Sequence, residues 1–214
     1  MQAVAADNWP ASPIPPPSVI GQAFGGGYYA GQISTAGNGV ADYYIIVGPV
    51  ASAQSSKQYK NANTVTTGAD SVIDGPQNTA DMVADGSSTV YPAAHFCNGV
   101  TSGGFSDWYM PAKNELEVCY YNLKPTTASN NTGSGTNTNA VPSRGSNYTS
   151  GTPAQTSATD FKDTGAEDFV AGLYWSSTEQ SAGSSWAQYF QLGLQSYRSK
   201  SMAAQTRAVR RVAV

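Results

Sequence analysis

Cysteine, histidine and charge are all scarce in this chain. Of 214 residues only two are cysteine and one is histidine. Two cysteines cannot build a disulfide framework. Cys97 and Cys119 each fall on the apolar side of an expected short helix, where a buried free thiol is the simplest expectation and a bridge between the helices the alternative. The single histidine, His95, stands two positions from Cys97 and would point elsewhere on a helix, so no Cys–His pair is expected. The acids are scattered, with no paired carboxylates, and Gly25, Gly26 and Gly27 match no phosphate-binding pattern. The chain is therefore expected to be no enzyme and to use no cofactor and no metal.

Charged residues make up 12% of the chain, about half the usual quarter. The net charge of −3 comes without a basic stripe that could neutralise phosphates, which argues against nucleic acid as a partner. The segment 198–211 does carry five of the eleven basic residues, and it reads as sheet-edge and surface charge. No run approaches the roughly 18 apolar residues of a membrane helix, so no membrane insertion is expected. Residues 1–18 are neither basic nor followed by an apolar core, which is unlike a secretory signal.

Proline, glycine, tyrosine and the small polar residues fill the space that charge leaves. Prolines 10, 13, 15, 16 and 17 stiffen the first eighteen residues into an extended segment. That segment reads as an arm or linker, 1–18, ahead of one domain over 19–214. Residues 28–34 and 42–47 are β-rich runs around Asn38 and Gly39, the pattern of a hairpin. Residues 48–92 are weakly patterned, and Asp70, Asp74, Asp81 and Asp85 there read as turn and cap residues. Two short helices are expected. One covers 92–98, and the other covers 111–123 with Leu116, Cys119, Tyr120 and Leu123 on one face.

Residues 126–159 contain 24 Thr, Ser, Asn or Gly in 34 positions. Such a stretch has little apolar area to set against ordering entropy, so it is expected as a long surface excursion. Its two glycosylation sequons, at Asn130 and Asn147, read as products of composition. Three strands are then expected: 173–178, 186–195 and 207–214. In the middle one, Trp186, Phe190, Leu192 and Leu194 share one face and Ala187, Tyr189, Gln191 and Gln195 the other. Helices before strands point to an α+β domain with an antiparallel sheet.

Several words in the chain are characteristic. Gly103-Gly104-Phe105-Ser106-Asp107-Trp108-Tyr109-Met110-Pro111 followed by Glu115-Leu116, then Tyr174-Trp175-Ser176-Ser177-Thr178-Glu179, then Arg207-Ala208-Val209-Arg210, occur in that order. Together with Trp186, Phe190, Gly193, Lys200 and the opening run 25–33, they resemble a bacterial and phage family of C-type-lectin-like domains. The likeness spans roughly 21–212 and is interrupted by an insertion at 124–170. It implies a twisted antiparallel sheet flanked by two short helices, with first and last strands paired and with Trp108 and Trp175 in the core.

Relatives with this fold include phage tail-fibre tips, adhesins and formylglycine-generating enzymes. The enzymes' late cysteines are missing here. So are the acidic motifs of calcium-dependent lectins, because Glu179 is the only carboxylate after Tyr174. In the adhesins the last strands and their loops meet the ligand. Carried onto this chain, that surface comprises Glu179, Gln180, Ser184, Tyr189, Gln191, Gln195, Tyr197, Arg198 and Ser199. Tyrosine offers rigid contact area and amides offer adaptable hydrogen bonds, which suits recognition. The functional expectation is a virion component assembled in the bacterial cytoplasm: a fibre, spike or tip module. Its arm would hold other virion proteins, its face a host-surface glycan or protein, and it would form a homo-oligomer, a trimer first. The alternatives are a decoration or connector protein without receptor binding and a bacterial surface adhesin.

Overall fold

A computed structural model describes residues 16–214, so positions 1–15 of the expected arm lie outside the described residues. The chain opens with strands β1 (Ala23–Phe24), β2 (Gly27–Ile33) and β3 (Tyr43–Val47), a one-turn helix α1 (Val50–Ala53) and β4 (Gln54–Gln58). Helices α2 (Gly75–Asp85), α3 (Pro92–Asn98) and α4 (Lys113–Leu123) follow. After the short β5 (Ala140–Val141) come β6 (Leu173–Ser181), β7 (Ser184–Tyr189), β8 (Gln195–Ser199), β9 (Ala203–Arg207) and β10 (Val209–Ala213). The architecture is α+β, with two five-stranded sheets. One runs β1-β2-β3-β10 with β5 against β2, and the other runs β4-β9-β6-β7-β8.

The expected hairpin is β2 and β3, paired antiparallel from Tyr28↔Val47 to Ile33↔Tyr43. The resemblance placed the last strand beside the first run; instead β10 pairs with β3, Val209 opposite Val47. Helix α3 has the expected limits, and α4 begins at Lys113, two residues after Pro111. There Glu115 reaches back to accept from the Ala112 N–H at 2.8 Å, satisfying a donor that the helix start leaves free.

Two helices, α1 and α2, were not anticipated. Helix α2 escapes periodicity because its buried side is largely polar: Asn78 and Thr79 accompany Met82. Asp74 caps it by accepting from the Gln77 N–H, as a turn-and-cap reading requires.

Alternation along β6 divides the core. Trp175 and Ala187 point into a cluster with Tyr59, Met82, Cys97 and Trp108. Tyr174 faces the opposite way, into a cluster with Cys119, Tyr120, Phe169 and Phe190. The two cysteines are thus free, buried and in different clusters. Each large side chain so enclosed contributes roughly 1.5–3 kcal/mol. Trp108 and Trp175 are core residues, as the resemblance implied.

The expected strand 186–195 is broken. β7 stops at Tyr189 and β8 starts at Gln195, with a turn between them. Gly193 holds φ +74° in that turn, and a Cβ there would collide with the Tyr120 ring. The turn changes the faces. Ala187 is buried while Trp186 is half-exposed, the reverse of a single strand with Trp186 and Phe190 together inside.

The insertion also departs from expectation. Residues 126–159 do cross the surface, yet Asn130, Ser134, Asn137 and Tyr148 are buried. Hydrogen bonds do the work that apolar area cannot. Asn130 alone serves the Tyr120 hydroxyl and the carbonyls of Thr149, Ser150 and Pro153.

Candidate functional site

Apart from Arg198, the basic C-terminal stretch is not surface charge. Lys200, Arg207 and Arg210 are buried, and each meets a carboxylate: Glu179 at 2.9 Å, Glu167 at 2.8 Å and Asp107 at 2.7 Å. Arg211 takes Glu115 at 2.7 Å. Burial opposes the charge on Arg211, but Glu115 and Tyr109 outweigh it and hold the guanidinium above its ordinary value. Lys200 lies in the turn between β8 and β9, Arg207 ends β9, and Arg210 and Arg211 are neighbours in β10 that point to opposite faces, so each acid that receives them comes from a different distant segment.

This overturns one of the expected contact residues. Glu179 is buried, bound to Lys200 and accepting the Thr66 N–H with both oxygens at 3.1 Å. It anchors loop 60–66 instead of forming a rim. Gln180 and Ser184 stay near the tip of the β6–β7 hairpin, where the Ser184 hydroxyl donates to the Gln180 amide oxygen at 2.6 Å. Gln191 lies exposed in the turn that breaks the strand.

The remaining positions separate onto the two faces of β7 and β8. Register sets this: Trp186 is opposite Tyr197, Gln188 opposite Gln195, and Ser184 opposite Ser199, so these side chains share a face. Tyr197 is 56% exposed and meets the Trp186 ring edge-on, 5.8 Å between centroids. Lys113 lies over the same tryptophan at 4.1 Å, a cation–π contact that sequence reading did not find because it joins α4 to β7. β8 is the last strand of its sheet. The Gln195 N–H donates to the Ser134 hydroxyl at 3.0 Å, away from β7, and the alternation of backbone groups turns the Tyr197 and Ser199 amides to that open side too.

Tyr189 and Arg198 belong to the opposite face. They border a cleft of about 440 Å³. Val170, Leu173, Leu194, Met202 and Ala203 make its apolar wall, and Gln205 and Ser56 join the two named residues at the polar margin. The cleft lies beside the one parallel pair of β6 and β9, Tyr174↔Gln205.

Reactive groups lie elsewhere. His95 Nε2 donates to the Gly86 carbonyl at 2.6 Å. Burial pushes the Cys97 thiol up to about 12, against a smaller opposite effect of Thr206, which leaves it protonated. Among the described residues no group of three or more His, Cys, Asp or Glu stands where it could hold a metal ion. Nor is any described helix long and apolar enough to cross a membrane.

The family model described as the Lcl C-terminal domain covers residues 54–210. It takes in the inter-sheet crossover at Ala208, both faces of β7 and β8, and the cleft. No curated protein matches the chain.

Proposed function

This chain belongs to the Lcl C-terminal domain family, a lectin-like family of bacteria and phages, and from that membership we propose that it is a non-catalytic binding module with a C-type-lectin-like fold. The observation that carries the reading is the free edge at β8. There Tyr197, Trp186 and Ser199 stand on one face and Tyr189 and Arg198 on the other, while the insertion covers Gln195, whose amide oxygen accepts from the Gly135 N–H at 3.3 Å. Such a ridge offers rigid aromatic area with amides and hydroxyls beside it. It lies on short, well-buttressed strands, which keeps the contact groups in place. Among the described residues no cluster able to hold a metal ion accompanies it.

The finer assignment is a fibre, spike or tip module of a phage particle, contacting a host-surface glycan or protein. The low charge and the Tyr, Gln and Ser at the edge support it. Each contact to a surface sugar is weak, so a trimeric or other oligomeric arrangement would multiply it through avidity.

The test is binding of fluorescently labelled protein to a panel of bacterial strains, beside a Tyr189→Ala/Tyr197→Ala variant. Saturable binding to one strain, reduced at least tenfold in the variant, is the expected outcome. A folded, oligomeric sample that binds no strain points instead to a decoration or connector protein. Retention of full binding by the variant removes β8 as the contact edge.

A further inference from the structure

Four of the five arginines in the chain sit on carboxylates: Arg144 on Glu117, Arg207 on Glu167, Arg210 on Asp107 and Arg211 on Glu115. Arg198 is the exception. Among the described residues its guanidinium meets no acid, and its one hydrogen bond goes to the neighbouring Tyr197 carbonyl at 3.0 Å. It stands at the margin of the apolar cleft between β6 and β9, beside Leu173, Leu194 and Met202. Val170 and Met202 there are 44% and 37% exposed, although apolar groups of that size are ordinarily covered where they cluster.

The cleft therefore joins two unmet requirements: apolar wall open to water, and a planar cation without a counter-charge. A guanidinium pairs best with a planar, two-oxygen anion, which a carboxylate is and an alcohol is not. We propose that this cleft is a binding site for an aliphatic carboxylate, the chain lying against Leu173, Leu194 and Met202 and the carboxylate paired with Arg198. Methionine, unbranched and polarizable, adjusts readily to a flexible chain. The inference rests on the reading of this end of the sheet as a binding face, and it names the chemistry of one of its two sides.

The experiment is amide NMR titration of the intact chain with butanoate, hexanoate and octanoate, with octan-1-ol as the uncharged probe. The expected result is shifts at Leu194, Met202 and Ala203, with affinity rising about fourfold for each methylene added. Octanoate should bind about tenfold tighter than octan-1-ol, as expected of a charge-assisted pair. In Arg198→Ala that preference should disappear while the chain-length trend persists, and Ala203→Phe should abolish both by filling the cleft. Equal binding of octanoate and octan-1-ol, or an Arg198→Ala variant with its preference intact, overturns the proposal. So does a leucine-terminated tripeptide that binds tighter than octanoate at the same residues, which would make the occupant a peptide terminus. If no carboxylate binds but the double tyrosine variant still loses the bacterial strain, this inference falls and the binding-module reading stands. If octanoate binds and no strain does, the reverse holds.

Discussion

Arg207 is buried and hydrogen-bonded through all three of its guanidinium nitrogens. Its Nε donates to the Gly48 carbonyl at 2.9 Å, one terminal nitrogen to the Glu167 carbonyl at 2.9 Å, and the other to the Glu167 carboxylate at 2.8 Å. The Phe169 ring lies 4.8 Å from the guanidinium carbon. A charge so enclosed is stabilising only while all its partners remain. Arg207→Ala should therefore cost about 3–5 kcal/mol, because the Glu167 carboxylate and the carbonyls of Gly48, Glu167 and Asp168 each lose a donor. The readout is the denaturation midpoint, at unchanged slope. Arg207→Lys should recover less than half of the loss, since one ammonium cannot serve these four acceptors in a fixed plane. In sequence, Arg207 looks like any basic residue in a β-rich tail. What buries it is Gly48 and Glu167, placed far away along the chain.

At the scale of elements, the insertion is joined to α4 through one carboxylate. Glu117 is fully buried and accepts from Asn137 Nδ2 at 2.6 Å, from the Tyr148 hydroxyl at 2.8 Å, and from Arg144. The Gln188 amide donates to the same tyrosine at 3.1 Å, linking the insertion to β7. Glu117→Ala should release residues 126–159 and expose them to protease, with the two sheets retained. The expected loss is about 3–5 kcal/mol, against about 1–3 kcal/mol for Asn137→Ala. An insertion that stays resistant in Glu117→Ala would show that its own turns hold it. Composition misjudged this segment for a definite reason. Counting apolar residues measures one source of burial, whereas here asparagine, serine and tyrosine pair off in a dry environment. Strand β7 shows the other kind of error. Period-two alternation across 186–195 suits a continuous strand, whereas the turn is closed by the Gly193 N–H on the Tyr189 carbonyl at 2.7 Å and by the close approach of Gly193 to the Tyr120 ring.

Over the whole molecule the buried titratable groups determine how stability follows pH. Burial raises the carboxyls of Glu115 and Glu117, with Arg211 and Arg144 opposing it only in part. A raised carboxyl binds its proton more tightly in the folded state, so these two favour folding increasingly as pH falls toward the ordinary value of about 4.3. Asp107 is lowered, first by its hydrogen bond to Arg210. Its contribution is present above about 3.9 and is lost as pH falls through its folded value. Thermal midpoints should accordingly show no decline from pH 7 to 5 and a decline below about 4. Burial also raises Tyr59, Tyr109, Tyr120, Tyr148 and Tyr174. Raised phenols stabilise fully below the unfolded value of about 10 and lose that contribution above it, so unfolding should set in near pH 10. A midpoint that falls steadily between pH 7 and 5 would contradict this assignment.

The sequence by itself determined the α+β class, the β2–β3 hairpin, helix α3, the apolar face of α4 and the core places of Trp108 and Trp175. Each rests on local spacing or on a word of a few residues, and local rules suffice where neighbours along the chain are also neighbours in space. The tertiary structure alone decided that Glu179, Lys200, Arg207 and Arg210 lie inside, and that the insertion is bound by buried amides. It also decided that Tyr189 and Arg198 look away from Tyr197. Those outcomes depend on partners ten or more residues away or on the register between strands, and neither is written in the spacing of any one segment.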